Sequence, residues 1–183
     1  METSDIQRAL SGLDNTASNI VGQISSTTDR ISYLLEQADQ YASEASHYMS
    51  MASGEEDADR AMSLMASADD CLGRASDCRD DANALSEQIQ ELKSQLRGLI
   101  GQYEYYKSEG ETKIAELSTL VSKLTGMSGS KYGAGQIKST LSQAKDRLIF
   151  NQRLVSGCTD RINWINNTCG AGGGQNVKTL RRR

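Results

Sequence analysis

The chain has 183 residues and a net charge of −4; only nine residues are aromatic, and there is no proline. So few large side chains argue against a thick globular core, and the absence of proline permits helices far longer than the usual dozen residues. No apolar run reaches the roughly 18 residues of a membrane span, and the N-terminus has no basic-then-apolar signal peptide. We therefore expect synthesis in the cytoplasm without a cleaved leader, with secretion by another route left open.

The charge is distributed unevenly along the sequence. Residues 1–52 carry −5, residues 53–126 carry −7 and residues 127–183 carry +8. Opposite charges on segments of one chain usually mean that the segments face each other, or that the basic end meets something acidic. We favour the first interpretation and keep the second open.

The first predicted helix covers about residues 4–52. Its apolar or small residues alternate in steps of four and three over nearly seven heptads, which is the seam pattern of a coiled coil. Several of these positions are alanine, so the seam buries little apolar surface and needs a partner or a third helix. The positions are Ile6, Leu10, Leu13, Ala17, Ile20, Ile24, Thr27, Ile31, Leu34, Ala38, Tyr41, Ala45, Tyr48 and Ala52.

A reversal at Ser53-Gly54-Glu55-Glu56 separates the first helix from the second. We expect Gly54 to adopt the left-handed conformation that ends a helix and Ser53 to cap the next one.

The second predicted helix covers about residues 55–125 and spans roughly 105 Å if it is straight. Its seam has one three-three step at Leu72, Ala75 and Cys78, a discontinuity that overwinds a coil locally. The seam positions are Ala58, Ala61, Met65, Ala68, Leu72, Ala75, Cys78, Ala82, Leu85, Ile89, Leu92, Leu96, Leu99, Tyr103, Tyr106, Gly110, Ile114, Leu117, Val121 and Leu124.

A glycine-rich loop at residues 126–135 precedes the third predicted helix, about residues 136–169. Asn151 falls at a core position, where a polar residue sets the register of the helices. Residues 170–183 are predicted to be a flexible, glycine-rich basic tail ending in three arginines. The seam positions are Ile137, Leu141, Ala144, Leu148, Asn151, Val155, Cys158, Ile162, Ile165 and Cys169.

These lengths predict an all-α fold: an elongated antiparallel coiled coil or three-helix bundle, in which residues 1–169 form one domain around a very long central helix. The first and last helices pair with its two ends and overlap it near residues 89–106, which brings Ile6 and Cys169 together close to Tyr103. The alternative is a break at Gly110, which produces a compact four-helix bundle.

No residue set points to catalysis, a cofactor or a metal ion. Cys71 and Cys78 are about 10 Å apart on one helix face, too far to form a disulfide with each other. We expect buried free thiols; a disulfide from either of them to Cys158 or Cys169 requires the four-helix bundle. The acidic clusters lack the ligand spacing of a calcium loop and fit solvated helix faces. We therefore predict that the protein is not an enzyme.

The chain resembles the helical-hairpin proteins and N-terminal domains handled by type VII secretion systems, including the Leu-x-Gly class. Leu10-Ser11-Gly12 fits that tripeptide, and Tyr105-Tyr106-Lys107-Ser108-Glu109 fits the Tyr-x-x-x-Asp/Glu export pattern through Tyr105 and Glu109. The chain departs from the group because Trp164 is not followed by x-Gly and because the hairpin turn lacks tryptophan. The resemblance implies a bacterial targeting partner or chaperone that pairs with another helical chain.

Three functional hypotheses follow. The first is a non-enzymatic interaction protein that pairs with another helical chain; the second is a self-associating structural coiled coil of a phage or cell-surface assembly. The third is nucleic-acid or phosphate binding by the basic last helix and tail, which the lack of interleaved basic and aromatic residues argues against. The residues expected at a partner interface are Leu10, Leu13, Ile20, Ile24, Ile31, Leu34 and Trp164.

Overall fold

A computed structural model describes residues 2–127 and 134–170, and these ranges contain three α-helices and no strand. The first, α1, spans Thr3–Ser53; α2 spans Ala58–Met127; and α3 spans Ala134–Gly170. The all-α fold with a very long central helix is therefore confirmed, because α2 has 70 residues and runs through Gly110 without a break. None of the three helices has a segment both long and apolar enough to cross a membrane.

The predicted glycine-rich loop is shorter at both ends than expected. The helix α2 continues through Gly126 to Met127, and α3 already begins at Ala134. The six residues between them and the predicted tail from residue 171 onward lie outside the described residues, and Gly170 is the last residue of α3.

The turn between α1 and α2 differs from its prediction. Asp57 caps α2, because its Oδ1 accepts hydrogen bonds from the amides of Asp59 at 2.9 Å and Arg60 at 3.0 Å. The Ser53 hydroxyl instead donates to the carbonyl of Ser50 at 2.8 Å, within α1. The backbone at Gly54 lies outside the left-handed region. A carboxylate at the first helical turn also complements the helix dipole, which favours Asp57 over a serine four residues earlier.

All predicted seam positions of α1 and α3 are buried or half-buried, whereas three of those in α2 are exposed. Ala58, Met65 and Leu72 point to solvent, and the seam instead uses Leu64 and Cys71. With these two residues the steps alternate regularly, so the predicted three-three step does not exist. The discontinuity lies at Tyr106-Gly110-Ile114, where two successive steps of four occur.

The described residues divide into two units, each with its own core. Unit 1 contains the described residues within 1–19 and 94–183, and unit 2 contains residues 20–93. In unit 2, α1 and α2 run antiparallel, as shown by Asp39 opposite Arg79 at 4.0 Å and Glu44 opposite Cys71 at 3.8 Å. The prediction that residues 1–169 form a single domain stays a prediction.

Unit 1 holds segments of all three helices. Asp14 of α1 contacts Tyr103 of α2 and Arg161 of α3, while Thr3 of α1 contacts Asn151 of α3. Residue numbers therefore increase in the same direction along α1 and α3. These two helices are parallel to each other, and both are antiparallel to α2. The three helices meet between about residues 97 and 113 of α2 rather than at residues 89–106.

In this arrangement Ile6 and Cys169, which were expected to meet, lie far apart. The carbonyl of Cys169 accepts a hydrogen bond from Arg97 at 3.4 Å, whereas Thr3 lies at Asn151, eighteen residues earlier on α3. Eighteen residues of helix correspond to about 27 Å. The expected meeting of Ile6 and Cys169 beside Tyr103 is therefore wrong, because α1 starts in the middle of α3 and not at its C-terminal end.

Candidate interaction site

A polar cluster joins the three helices of unit 1. The carboxylate of Asp14 accepts two hydrogen bonds from Arg161, Nε to Oδ1 at 2.5 Å and Nη2 to Oδ2 at 2.6 Å. The hydroxyl of Tyr103 donates to the same Oδ1 at 2.8 Å. Tyr103 is a predicted seam residue and lies in the seam, whereas Asp14 and Arg161 were not predicted because they lie beside the seam and carry no motif.

These contacts shift the pKa of each member. The hydrogen bonds from Arg161 hold the pKa of Asp14 below its usual value, although partial burial opposes this shift. Burial and the neighbouring Asp14 carboxylate raise the pKa of Tyr103 above its usual value. The cluster therefore holds one negative and one positive charge at neutral pH, with Tyr103 as a neutral donor. Its role is to fix the register of three helices, since a bidentate arginine–carboxylate pair accepts only a narrow geometry.

Asn151 confirms the prediction of a polar residue in the core, because its side chain is fully buried. Its amide nitrogen donates to the carbonyl of Arg147 at 2.8 Å, and its Oδ1 accepts a bond of 3.4 Å from the Thr3 hydroxyl. The buried amide is thus satisfied by its own helix and by the start of α1, which ties the register of α1 to that of α3.

Gly110 lies where α3 packs closely against α2 in unit 1. A Cβ atom on this residue would lie 2.8 Å from Cγ2 of Val155 and 3.3 Å from Cδ2 of Leu154. Glycine is therefore needed here for space and not for an unusual backbone angle. The alternative of a helix break at Gly110, which would produce a four-helix bundle, is ruled out because α2 is continuous through this residue.

Beyond the start of α1, the described residues of unit 1 form a pair of helices. We call this segment the two-helix arm, residues 113–127 of α2 with residues 134–150 of α3. The segment of α1 in this unit runs away from the arm, because it begins at Asn151 and proceeds towards Arg161. Most apolar seam residues of the arm are only half-buried, and Leu120 and Met127 are exposed.

Unit 2 is also a pair of helices with a thin core. Its buried cluster consists of Ala45, Ala68 and Cys71, with Tyr48 packed against it. Small side chains of this kind contribute little burial free energy. Of the residues expected at a partner interface, Ile24, Ile31 and Leu34 lie on this seam half-buried, and Ile20 is buried.

The other predicted interface residues lie in unit 1. Leu10 and Leu13 are buried against the other two helices, so they serve the core of the chain itself. Trp164 is 42% exposed on α3. Tyr105 and Glu109 lie on neighbouring turns of α2; Tyr105 is half exposed and packs edge-on against Tyr106, while Glu109 is half-buried.

A shallow groove of about 480 Å³ lies on unit 2. Its lining includes Glu44, Asp70, Cys71 and Arg74. Burial, followed by the negative charge of Glu44, raises the pKa of the Cys71 thiol, and a protonated thiol is a poor nucleophile. All four cysteines are free thiols, as expected, and none is bridged to another.

The described residues contain no group of three or more histidine, cysteine or acidic side chains placed to hold a metal ion. With this geometry established, we compared the chain with known proteins. No family model, no curated protein and no solved structure matches it. Its function is therefore argued from the chain's own residues.

Proposed function

We propose that the chain is a non-enzymatic interaction protein that pairs with another helical chain. One observation carries this proposal: in unit 2 and in the two-helix arm, two helices share a seam whose alanines are mostly buried but whose larger apolar residues mostly stay half-buried. In the three-helix part of unit 1, the corresponding positions are mostly buried. A third helix completes the core there, so a helix from another chain is the natural complement where it is lacking.

Mixing with a helical candidate, encoded next to this chain's gene, tests the proposal. Size-exclusion chromatography with light scattering should show a complex of defined stoichiometry, and circular dichroism should show that it melts above either component alone. Ile31→Gln should weaken the complex because it places an amide on the half-buried seam. Ser32→Gln is the matched control on the exposed side of the same turn. A compact monomer with a high melting temperature that no partner raises would contradict the proposal.

The resemblance to type VII secretion proteins supports a more specific form of this role. In that form the chain is a bacterial targeting partner or chaperone, with Tyr105 and Glu109 as its export signal. Tyr105 is accessible for recognition because half of its side chain is exposed. Substituting Tyr105 with alanine should abolish export in a secreting host while leaving helicity and partner binding unchanged; export at the wild-type level would refute this form of the proposal.

A second candidate function is self-association in a structural assembly. The charge of the two units favours it, since unit 2 has fifteen acidic and five basic residues, net −10, and unit 1 has nine acidic and fifteen basic residues, net +6. Opposite charges steer one copy towards another and are screened by salt. This candidate predicts an oligomer at low ionic strength that dissociates as salt is added, measured by light scattering on the pure chain.

A further inference from the structure

Among the residues that the structure describes, none covers one side of the seam of the two-helix arm. Where α1 packs on α2 and α3, residues such as Leu96, Leu99 and Ile165 are at least 92% buried. In the arm the same seam continues, yet Leu117 and Leu141 are only half-buried. On both sides of the discontinuity at Tyr106-Gly110-Ile114 the apolar residues alternate in steps of three and four, so the difference in burial follows from the number of helices.

The open side of the arm is the side that α1 covers in the three-helix part of unit 1. Lys113 pairs with Glu116 of its own helix at 2.9 Å, and the more distant negative charge of Glu2 also raises its pKa, which indicates that Lys113 lies on the side of α2 nearest the start of α1. Leu120 and Met127 follow Lys113 at intervals of seven residues and therefore lie on this same face. Both are large, apolar and exposed, at 41% and 54%.

On α3, Arg147 lies on the helix face that is directed towards α1 elsewhere in unit 1. It precedes Arg161, whose guanidinium binds Asp14 of α1, by fourteen residues, or two heptads. Ile149 lies on the other side of the seam residue Leu148, away from this face. The open side is thus lined by apolar residues of α2 and bordered by basic residues from both helices, of which Lys113 is paired with Glu116 of its own helix at 2.9 Å.

The charge of the arm indicates what kind of helix fits there. The arm has five basic and two acidic residues, net +3; the basic ones are Lys113, Lys123, Lys138, Lys145 and Arg147. The helix that fills the adjacent third position, residues 2–19 of α1, has three acidic residues and one basic residue. It buries an apolar stripe while its Asp14 binds Arg161. The three-helix part of unit 1 therefore shows what kind of helix would pack against the arm.

We propose that the two-helix arm binds an acidic amphipathic helix of a partner protein, seated in the third-helix position on the face of Leu120, Met127 and Arg147. This inference rests on the proposed function and names the surface and the chemistry of the partner. The partner helix places apolar residues every three and four positions against the arm's seam and directs its carboxylates towards Lys113, Lys123 and Arg147.

A designed peptide pair tests this site on the full chain. The probe is a fluorescein-labelled peptide of three heptads with leucine on the seam positions and glutamate on both flanks. The control peptide has lysine in place of each glutamate. The glutamate peptide should bind at least about tenfold more tightly than the lysine peptide in fluorescence anisotropy, and salt should reduce the difference. Equal binding of both peptides, or no binding of the glutamate peptide, would overturn the proposal.

Two matched substitutions locate the binding surface. Leu120→Glu should weaken binding of the glutamate peptide at least about tenfold, since it removes an apolar contact and adds a repelling charge. Ile149→Glu should leave binding unchanged, although Ile149 is equally apolar and 47% exposed in the same arm. Circular dichroism checks that both variants keep the helicity of the wild type. An equal effect of the two substitutions would place the binding surface elsewhere.

The remaining candidate for binding at this surface is a second copy of the chain. Light scattering on the pure chain distinguishes this candidate from a partner protein. If the chain forms a dimer that excludes the peptide, and Leu120→Glu makes it monomeric, the occupant is the acidic hairpin of another copy and the partner proposal is wrong. A monomer that binds the glutamate peptide supports the partner. Failure at this surface leaves the proposed function intact, because mixing with a candidate partner and the Ile31→Gln variant test a different seam.

Discussion

Polar residues beside the seam fix the register of unit 1. Asp14 binds Arg161 and Tyr103 at once, so three helices are joined through one carboxylate. The paired side chains are each about a third exposed, at 37% for Asp14 and 36% for Arg161. Water screens such a pair, and its contribution to stability is correspondingly modest. Its geometric requirement is the stronger effect, because a slip by one residue would separate all three groups.

The depressed pKa of Asp14 predicts a pH-dependent share of stability. This share is present above the ordinary aspartate pKa of 3.8 and is lost as the pH falls below that value through the folded-state pKa. At neutral pH, Asp14→Asn should lower the unfolding free energy by up to about 1 kcal/mol. That difference should shrink as the pH is lowered past 3.8 in urea titrations.

Asp29→Asn is the control for this titration, since Asp29 is an exposed carboxylate in the interior of the same helix, away from its N-terminal dipole. Its difference from the wild type should stay within about 0.5 kcal/mol at every pH. A stability difference for Asp14→Asn that persists unchanged to pH 2 would rule out the ionised pair as its origin.

We expect that replacing Gly110 with alanine destabilises the folded protein. Alanine is normally better than glycine in a helix by about 1 kcal/mol. At Gly110 the added methyl would come within 2.8 Å of Val155, a β-branched residue with little rotamer freedom in a helix. Overpacking of this kind costs about 1–3 kcal/mol, so Gly110→Ala should lower the midpoint of urea unfolding despite the gain in propensity.

The matched control for Gly110 is Gly98, which lies on the same helix with no atom within 4 Å of its added Cβ. Gly98→Ala should raise the stability by about 0.5–1 kcal/mol. A stabilising effect at both positions would show that α2 and α3 are not in close contact at Gly110.

At the scale of elements, the hydrogen bonds around the start of α2 predict that substitutions of Asp57 and Ser53 differ in their effect on stability. Replacing Asp57 with alanine removes the acceptor of two amide hydrogen bonds and should cost about 1 kcal/mol. Ser53→Ala removes only a bond within the last turn of α1 and should cost a few tenths of that amount. Thermal unfolding followed by circular dichroism measures both, and a larger loss for Ser53→Ala would identify serine as the cap after all.

The helices were predictable from periodicity, but the choice between adjacent apolar residues was not. Every expected seam position of α1 is buried or half-buried, although Ile20-Val21 and Leu34-Leu35 also offer two adjacent apolar residues there. In α2, Leu64-Met65 and Cys71-Leu72 each offer two candidates, and the larger or more apolar residue of the second pair is the exposed one. The polar cluster at Asp14 could not be predicted, since its partners come from three helices and depend on how those helices overlap.

At the scale of the molecule, burial depends on how many helices share a seam. Three segments meet in part of unit 1, and there the core contains leucine, isoleucine and Tyr103 in fully covered positions. Unit 2 and the two-helix arm each have two segments and correspondingly thinner cores. Local stability follows buried apolar area, so it should differ along α2 even though the helix is continuous.

Hydrogen exchange along α2 tests this variation directly. Amides from about residue 97 to residue 110, where three helices pack together, should exchange slowest, whereas amides of 114–127 should exchange faster because partial opening of the arm exposes less apolar surface. The glutamate peptide should slow exchange in 114–127 and leave 97–110 nearly unchanged, since only the arm gains a third helix. Uniform protection along the whole helix would mean that opening is cooperative over its full length, and that half-burial of the seam does not mark a site of local weakness.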